Sequence, residues 1–531
     1  MNFPISKPLT RRAFLKWSGA AALWAATPAL LRGNFGPLDK VSLFHTTDLH
    51  GNILPTSTYD GVADVGGLAR CATRIRQWKA LQPNHLLVDL GDLYQGTDLG
   101  YRTEGLVMTD ALNHMGYDAW VAGNHEFDWG VDKLHQAIKQ SEMPVLAGNS
   151  YLGGKAVWAE ENYGELPLLP YFIKNVGGYK IAFIGLTTPN MENWFLPELL
   201  GDFAAADPVP VLRQTIDRLQ AEKPDALILG THMGIRPWTT EDDAANRLFA
   251  LTEACPEIDM IVAGHTHRDM PHSRINGIPY SQANYFGIHV GRVDLVFERE
   301  SRRLIDAQPM TSYMDANVRP DPAIVSLSID EIEASQAYMA TEIGTLADEL
   351  SIQNAPGRPS GVEKLIGAAF REGLSEKGHP VDAVVHGLLF MDDPVPAGPK
   401  TVEDMWGIIP FENFVVTATL TVEELKGILQ EVYQQRTIRS LMGLEAEVEG
   451  RGDRLQVLAL RDQNGQPLAR ETKLRIAFNS YDAAGGGARF PRLRAKLREE
   501  SAAMKLHRYQ SRAMLIDFFT QRETVSRSDL G

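Results

Sequence analysis

Four short apolar runs in this chain each lead into a residue able to hold a metal ion, and that recurrence constrains the fold more than any other feature. Leu86-Leu87-Val88 precedes Asp92, Ala119-Trp120-Val121-Ala122 precedes Asn124, Ala226-Leu227-Ile228-Leu229 precedes His232, and Ile258 to Val262 precedes His265. Such runs read as buried strands. Helical spacing of Leu68, Cys71, Ala72, Ile75 and Trp78, and again of Val209, Leu212, Ile216 and Leu219, falls between them. Strands alternating with helices predict an α/β domain with a parallel sheet. Ligands bind such sheets beyond the carboxyl ends of the strands, so the runs aim their polar residues at one place.

A lone histidine or turn aspartate is ordinarily a solvated or packing residue, so it is the repetition that argues for a shared site. Carboxylate, amide oxygen and imidazole form a donor set that suits Mn²⁺, Zn²⁺, Fe or Mg²⁺. Thiolates cannot be the framework, because Cys71 and Cys255 are the only cysteines. A single bridge between them and two buried thiols are both open.

At 531 residues the chain has room for two large domains or three smaller ones, and 44% hydrophobic with 22% charged residues places it among ordinary globular proteins. The formal net charge of -15 disfavours a duplex nucleic acid partner, which needs a basic surface. Small anions stay compatible, since bound divalent cations reverse the local potential.

Thr10-Arg11-Arg12-Ala13-Phe14-Leu15-Lys16 precedes an apolar stretch from Ser18 to Leu31, a pattern similar to a bacterial twin-arginine export signal. Residues 1–34 are therefore expected to be a leader that engages the twin-arginine machinery and delivers the protein to the periplasm or another extracytoplasmic space. Ala26-Thr27-Pro28-Ala29 is the candidate cleavage region, and an uncleaved leader would act as a membrane anchor. No later stretch is long and apolar enough to span a bilayer.

The expected organisation is a catalytic domain over 38–315, a connecting helix over 321–350 opened by Pro322, and a C-terminal substrate domain over 351–523. In the last, Val362, Leu365, Ile366, Ala369 and Phe370 share one helix face, Thr421 with Glu424 spells a capping box before Leu425, Ile428, Leu429 and Val432, and Leu474 to Phe478 reads as a strand. The glycines at 485–487 lack the Gly-Lys-Ser/Thr ending of a nucleotide phosphate loop and are read as a tight turn.

In order, Thr47-Asp48-Leu49-His50-Gly51, Gly91-Asp92-Leu93-Tyr94-Gln95-Gly96-Thr97, Gly123-Asn124-His125-Glu126-Phe127-Asp128, His232 and Gly264-His265-Thr266-His267 resemble the calcineurin-like metallophosphoesterases, within them the exported 5'-nucleotidase branch. The resemblance implies a four-layer α/β catalytic domain joined to a smaller α+β 5'-nucleotidase-type C-terminal domain. It implies two divalent metal ions that activate water, one held by Asp48, His50, Asp92 and His267, the other by Asp92, Asn124, His232 and His265. His125 and Asp128 match the family's catalytic dyad, although Asp128 also reads as a helix N-cap before Val131. His45, Asp89 and Glu126 are read as supporting residues beside the ligands. His114, His289 and His386 match no motif.

The C-terminal domain is less faithful to the family. Arg358 matches a substrate-contacting arginine, and Phe411 and Tyr481 match two base-stacking aromatics, though an aromatic in a strand is equally a core residue. Met391 stands where the family carries an arginine and Gly487 where it carries an aspartate, with Arg489 a candidate replacement anion contact. The expected activity is hydrolysis of nucleotides, first nucleoside 5'-monophosphates. UDP-sugars, cyclic nucleotides or sulfur esters, as in thiosulfohydrolases, form the alternative, and a non-catalytic metal or nucleoside binding protein the third.

Overall fold

The computed structural model describes residues 37–159, 166–389, 391, 393–435 and 439–531, so the expected twin-arginine leader lies outside the described residues. Two sheets face each other in the N-terminal half. The first has seven strands in the order Leu304–Tyr313, His289–Glu298, Leu38–Thr46, His85–Asp89, Ala119–Val121, Val145–Leu146 and Leu168–Leu169. The second has six, running Asp269–Ile275, Ile278–Ala283, Met260–Ala263, Ala226–Thr231, Tyr179–Leu186 and Tyr171–Val176. All the runs that end in expected ligands sit on parallel strands. Val41, Leu43, Leu86, Val88 and Val121 from one sheet pack on Ile181, Phe183, Ile228, Met260 and Val262 from the other.

Helices close both outer faces. Leu68–Leu81 lays Leu68, Cys71, Ile75 and Trp78 on Phe44, Leu87 and Trp120. Pro208–Leu219 and Leu248–Ala254 cover Ile184, Leu229 and Ile261. The result is the expected four-layer arrangement, and burial on both faces explains why the strands read as continuous apolar runs rather than alternating ones. Cys71 and Cys255 are both buried free thiols, which resolves the cysteine alternatives.

The expected connecting helix is not continuous. Pro322–Leu327, capped by Asp321 through the Ala323 N–H at 3.0 Å, ends at Ser328, and a second helix runs Ile329–Met339. Glu342–Leu346 is a strand paired with Gly398–Thr401. Its Ile343 and Leu346 are buried in the C-terminal core, so tertiary packing claims the end of the expected helix.

A five-stranded sheet carries the C-terminal half, in the order Ser440–Met442, Ala383–His386, Lys473–Asn479, Phe414–Thr421 and Lys505–Gln510. Gly361–Glu376 and Ser511–Arg522 pack on one face, and Val422–Tyr433 and Pro491–Leu497 on the other. The Thr421–Glu424 capping box forms as expected, with a second one at Ser360 and Glu363. Among the described residues no helix is long and apolar enough to cross a membrane.

Candidate active site

The carboxyl ends of the central strands bring Asp48, His50, Asp92, Asn124, His232, His265 and His267 together. Donor atoms of Asp48, His50, Asp92 and His267 all lie within 4.8 Å of one another, as do those of Asp92, His232 and His265, so Asp92 belongs to both groups. Asn124 joins the second through its Oδ1, 2.9 Å from Nδ1 of His265. Five of these residues, Asp48, His50, Asp92, His265 and His267, have positive φ between 48° and 72°. Non-glycine residues adopt this region at a cost, and its repetition marks a site held in place by its surroundings. Neighbouring glycines permit the approach: a Cβ on Gly123 would sit 2.3 Å from Asp92 Oδ1, and one on Gly264 2.2 Å from Thr47 Oγ1.

The imidazoles are oriented from behind. Nδ1 of His50 donates to the Gln95 carbonyl at 2.6 Å, and Nδ1 of His232 to the Leu90 carbonyl at 2.6 Å, so each turns Nε2 inward. Nδ1 of His267 lies 3.1 Å from the Tyr59 hydroxyl. The Tyr59 ring also stacks on His267 and on Tyr285. Nε2 of His50 and Nε2 of His267 come to 3.1 Å, and the buried Nε2 of His232 lies 3.1 Å from Asp92 Oδ2 in a geometry that makes no hydrogen bond. Inward lone pairs, a buried orphaned nitrogen and two carboxylates in one place form a donor set that fits two divalent cations.

The electrostatics agree with that fit. Burial pushes His50 and His265 down to about 3, leaving neutral imidazoles, the form that ligates. Burial also opposes charge on His232, but the Asp92 and Asp48 carboxylates outweigh it and hold the ring up at about 10. A proton on this ring therefore answers the negative charge that a cation would otherwise neutralise.

His125 lies beside the ligands and partly lines the cavity. Its Nδ1 donates to Asp128 Oδ2 at 2.6 Å, and its backbone N–H donates to Asp92 Oδ1 at 2.9 Å. Burial opposes its charge, yet Asp128 and Asp92 together raise it to about 9. Asp128 does not cap the following helix, whose N-cap is Gly130; its carboxylate is spent on the imidazole instead. Glu126 accepts from the N–H groups of Asp92 at 3.0 Å, Leu93 at 2.6 Å and Gly123 at 2.5 Å, which locks two ligand loops together. His45 bonds Ser281, and Asp89 accepts from Thr46 and Gly91, so both support the strand ends.

A cavity of about 1080 Å³ lies between the two halves of the chain, over these residues. Phe411 and Tyr481 both line it. The Phe411 ring stacks on His125 with centroids 5.5 Å apart. Arg489 lines it too, donating to the Tyr481 hydroxyl at 3.1 Å. Arg358 does not: it is exposed, in a turn where it bridges Ala355. At Gly487 a side chain would meet Tyr481 Oη at 3.0 Å and Trp194 Nε1 at 3.3 Å, and the Gly487 N–H donates to the Asn193 carbonyl at 2.9 Å. Sequence reasoning missed Tyr59, Tyr285 and Trp194, because aromatic residues in loops carry no motif; only their place against His267 and His265 reveals them.

Comparison with known proteins agrees with this geometry. Residues 41–269 match the calcineurin-like phosphoesterase family and residues 342–495 the 5'-nucleotidase C-terminal domain. The trifunctional nucleotide phosphoesterase protein YfkN of Bacillus subtilis is 24% identical over 92% of this chain, which spans only 38% of that protein's length. A 2',3'-cyclic-nucleotide 2'-phosphodiesterase/3'-nucleotidase of Haemophilus influenzae is 27% identical over 80% of this chain and 71% of its own. The crystal structure of a 5'-nucleotidase precursor from Thermus thermophilus superposes with a TM-score of 0.68 at 22% identity, covering 92% of this chain and 97% of that one, so the two share a fold. The chain belongs to the calcineurin-like phosphoesterase family, in the form that carries a 5'-nucleotidase C-terminal domain.

Proposed function

We propose that the protein is an exported phosphoesterase that uses two divalent metal ions to hydrolyse nucleotides, first among them nucleoside 5'-monophosphates. The observation that carries this is the place of Asp92, common to both ligand groups and 2.9 Å from the His125 N–H. When bound, two divalent cations polarise a phosphoryl oxygen and lower the pKa of the attacking water. Asp48, His50, Asp92 and His267 would hold one, and Asp92, Asn124, His232 and His265 the other.

The chain's own groups supply the rest. His125, held charged at neutral pH by Asp128 and Asp92, lines the cavity and can stabilise charge on the phosphoryl group or give a proton to the leaving oxygen. Asp128 fixes its tautomer. Water forms the new P–O bond, the ester P–O bond breaks, and the leaving oxygen ends as an alcohol. Phe411 and Tyr481 offer faces for a flat base.

A second reading, cyclic or 3'-nucleotides, is favoured by Gly487, which brings no carboxylate to the cavity, and by the name of the Haemophilus influenzae relative. Export rests on the Arg11-Arg12 leader. A panel of nucleoside 5'- and 3'-monophosphates, 2',3'-cyclic nucleotides, UDP-sugars and sulfur esters, assayed with added Mn²⁺, tests the proposal. Release of phosphate from AMP supports it, and no turnover of any phosphoester by metal-loaded protein overturns it.

A further inference from the structure

Phe411 lies outside any helix or sheet, in the loop that joins the helix Val402–Ile408 to the strand Phe414–Thr421. Its ring nevertheless holds a defined place, nearly parallel to the His125 ring at 5.5 Å, with the His50 ring edge-on at 6.1 Å. Backbone pairing of the loop does not set that place. It is set from the start of the helix Ser511–Arg522, distant in sequence and packed against the loop.

Arg512, only 2% exposed, spends its guanidinium on that loop. Nε and Nη2 donate to the Ile409 carbonyl at 3.0 and 2.8 Å, and Nη2 also reaches the Pro410 carbonyl at 3.2 Å. These two carbonyls lie directly before Phe411. Directly after it, Glu412 accepts from Arg512 Nη1 through Oε2 and from the Arg512 N–H through Oε1, both at 3.2 Å, so loop and helix start grip each other on both sides of the ring. The guanidinium also lies over the Trp406 ring, 3.3 Å from its centroid. Asn413 extends the clamp: its carbonyl accepts from the N–H and hydroxyl of Ser511, both at 2.8 Å, and its Oδ1 accepts from the Tyr481 N–H at 3.1 Å. One hydrogen-bonded frame therefore joins the Phe411 and Tyr481 walls of the cavity. Gln510, at the same corner, donates to the Tyr101 hydroxyl of the catalytic half.

A buried ion pair contributes little to stability compared with well-packed apolar residues of like volume; what a planar fork on two carbonyls does provide is direction. We propose that Arg512 is a positioning residue for nucleotide recognition: through Ile409, Pro410 and Glu412 it fixes the Phe411 ring beside His125 and in register with Tyr481. A base on that ring and a phosphoryl group at the ligand cluster are then placed together rather than one at a time. The inference rests on the base-binding role proposed for Phe411. Arg512 lies behind the loop and not among the cavity-lining residues, so its effect passes through Phe411.

Full-length protein with Mn²⁺ is assayed on AMP and on β-glycerophosphate, which has no base, as wild type, Arg512→Met, Arg512→Lys, Phe411→Ala and the double variant Arg512→Met/Phe411→Ala. Arg512→Met is expected to lower the ratio of kcat/KM for AMP to that for β-glycerophosphate at least ~fivefold, mainly through KM for AMP, with part regained by lysine. In the Phe411→Ala background the same change should move the ratio less than ~twofold, because the two substitutions remove one effect. A ratio that Arg512→Met leaves unaltered, or lowers equally with and without the Phe411 ring, overturns the proposal. A second readout needs no turnover: in histidine-labelled protein loaded with diamagnetic Mg²⁺, the ring-current shift of Phe411 on the His125 imidazole protons, assigned by its loss in Phe411→Ala, should change in Arg512→Met as well. An unmoved resonance refutes the positioning role. Should wild type turn over neither ester, or Phe411→Ala leave the ratio unaltered, the nucleotide reading fails and this resonance alone decides whether Arg512 places the ring. Should Arg512→Met not fold, Arg512→Lys, which keeps the charge and loses the fork, passes through the same cycle and spectrum with the same outcomes.

Discussion

His125 donates through Nδ1 to Oδ2 of Asp128 across 2.6 Å, while the Phe411 ring lies against the imidazole at 15° between planes. The carboxylate thus sets tautomer, orientation and charge of the ring. Asp128→Asn keeps the shape and removes the charge. It is expected to lower kcat by ~10²–10⁴ while bound metal, measured by elemental analysis, stays constant. Loss of metal in parallel with activity would place Asp128 among the determinants of binding instead.

Tyr59 meets the cluster at His267, stacking on its ring and placing its hydroxyl 3.1 Å from the outer nitrogen. Removing such an outer partner weakens metal affinity ~10–100-fold. Tyr59→Phe, titrated against a chelator, should show that weakening with unchanged circular dichroism, and an unaltered affinity would assign the hydroxyl a packing role.

Glu126 is a structural clamp. Three backbone N–H groups converge on it at 2.5 to 3.0 Å in the interior. Glu126→Ala leaves them without acceptors, at ~1–3 kcal/mol each. Denaturant unfolding of the metal-free variant should show a fall of ~3 kcal/mol or more; a change below ~1 kcal/mol would mean that water takes over the bonds.

Base recognition is the role proposed for Phe411, which lines the cavity. Stacking on an aromatic ring contributes ~1–3 kcal/mol per base. Phe411→Ala should therefore raise KM for AMP about five- to thirtyfold, the lower half of that range, and change that for β-glycerophosphate, which has no base, far less. Equal effects on the two esters would relocate the base.

Acid sensitivity of the C-terminal half should follow two buried histidines. Burial holds His386 and His507 down at about 4 from an ordinary 6.5. The folded chain then binds fewer protons than the unfolded one between those values, so their stabilisation is full above 6.5 and declines as pH falls towards 4. Urea midpoints measured from pH 7.5 to 4.5 should fall across that window, and His386→Asn should flatten the fall. A midpoint that is independent of pH there refutes the assignment.

The catalytic half was legible because its ligands sit in short motifs at strand ends, where local sequence and global position coincide. His232 illustrates the limit: it has no diagnostic neighbour, and only the preceding Ala226–Thr231 strand pointed to it. Arg358 was misplaced because motif matching conveys order along the chain, not direction, and its turn carries it to the surface. The expected 321–350 helix failed where Ile343 and Leu346 gain more by completing a β-sheet core than by continuing a polar helix.

What the sequence determined by itself was the donor chemistry and the alternation of strands and helices, since both are written in residue type and period. The tertiary structure alone decided which residues of the two halves share a cavity, and how each imidazole is turned. Those depend on contacts between segments more than a hundred residues apart, such as the Asp92 pairing with His232 and the seating of Phe411 on His125. No local pattern encodes them, because they arise only when packed layers bring distant loops to one edge.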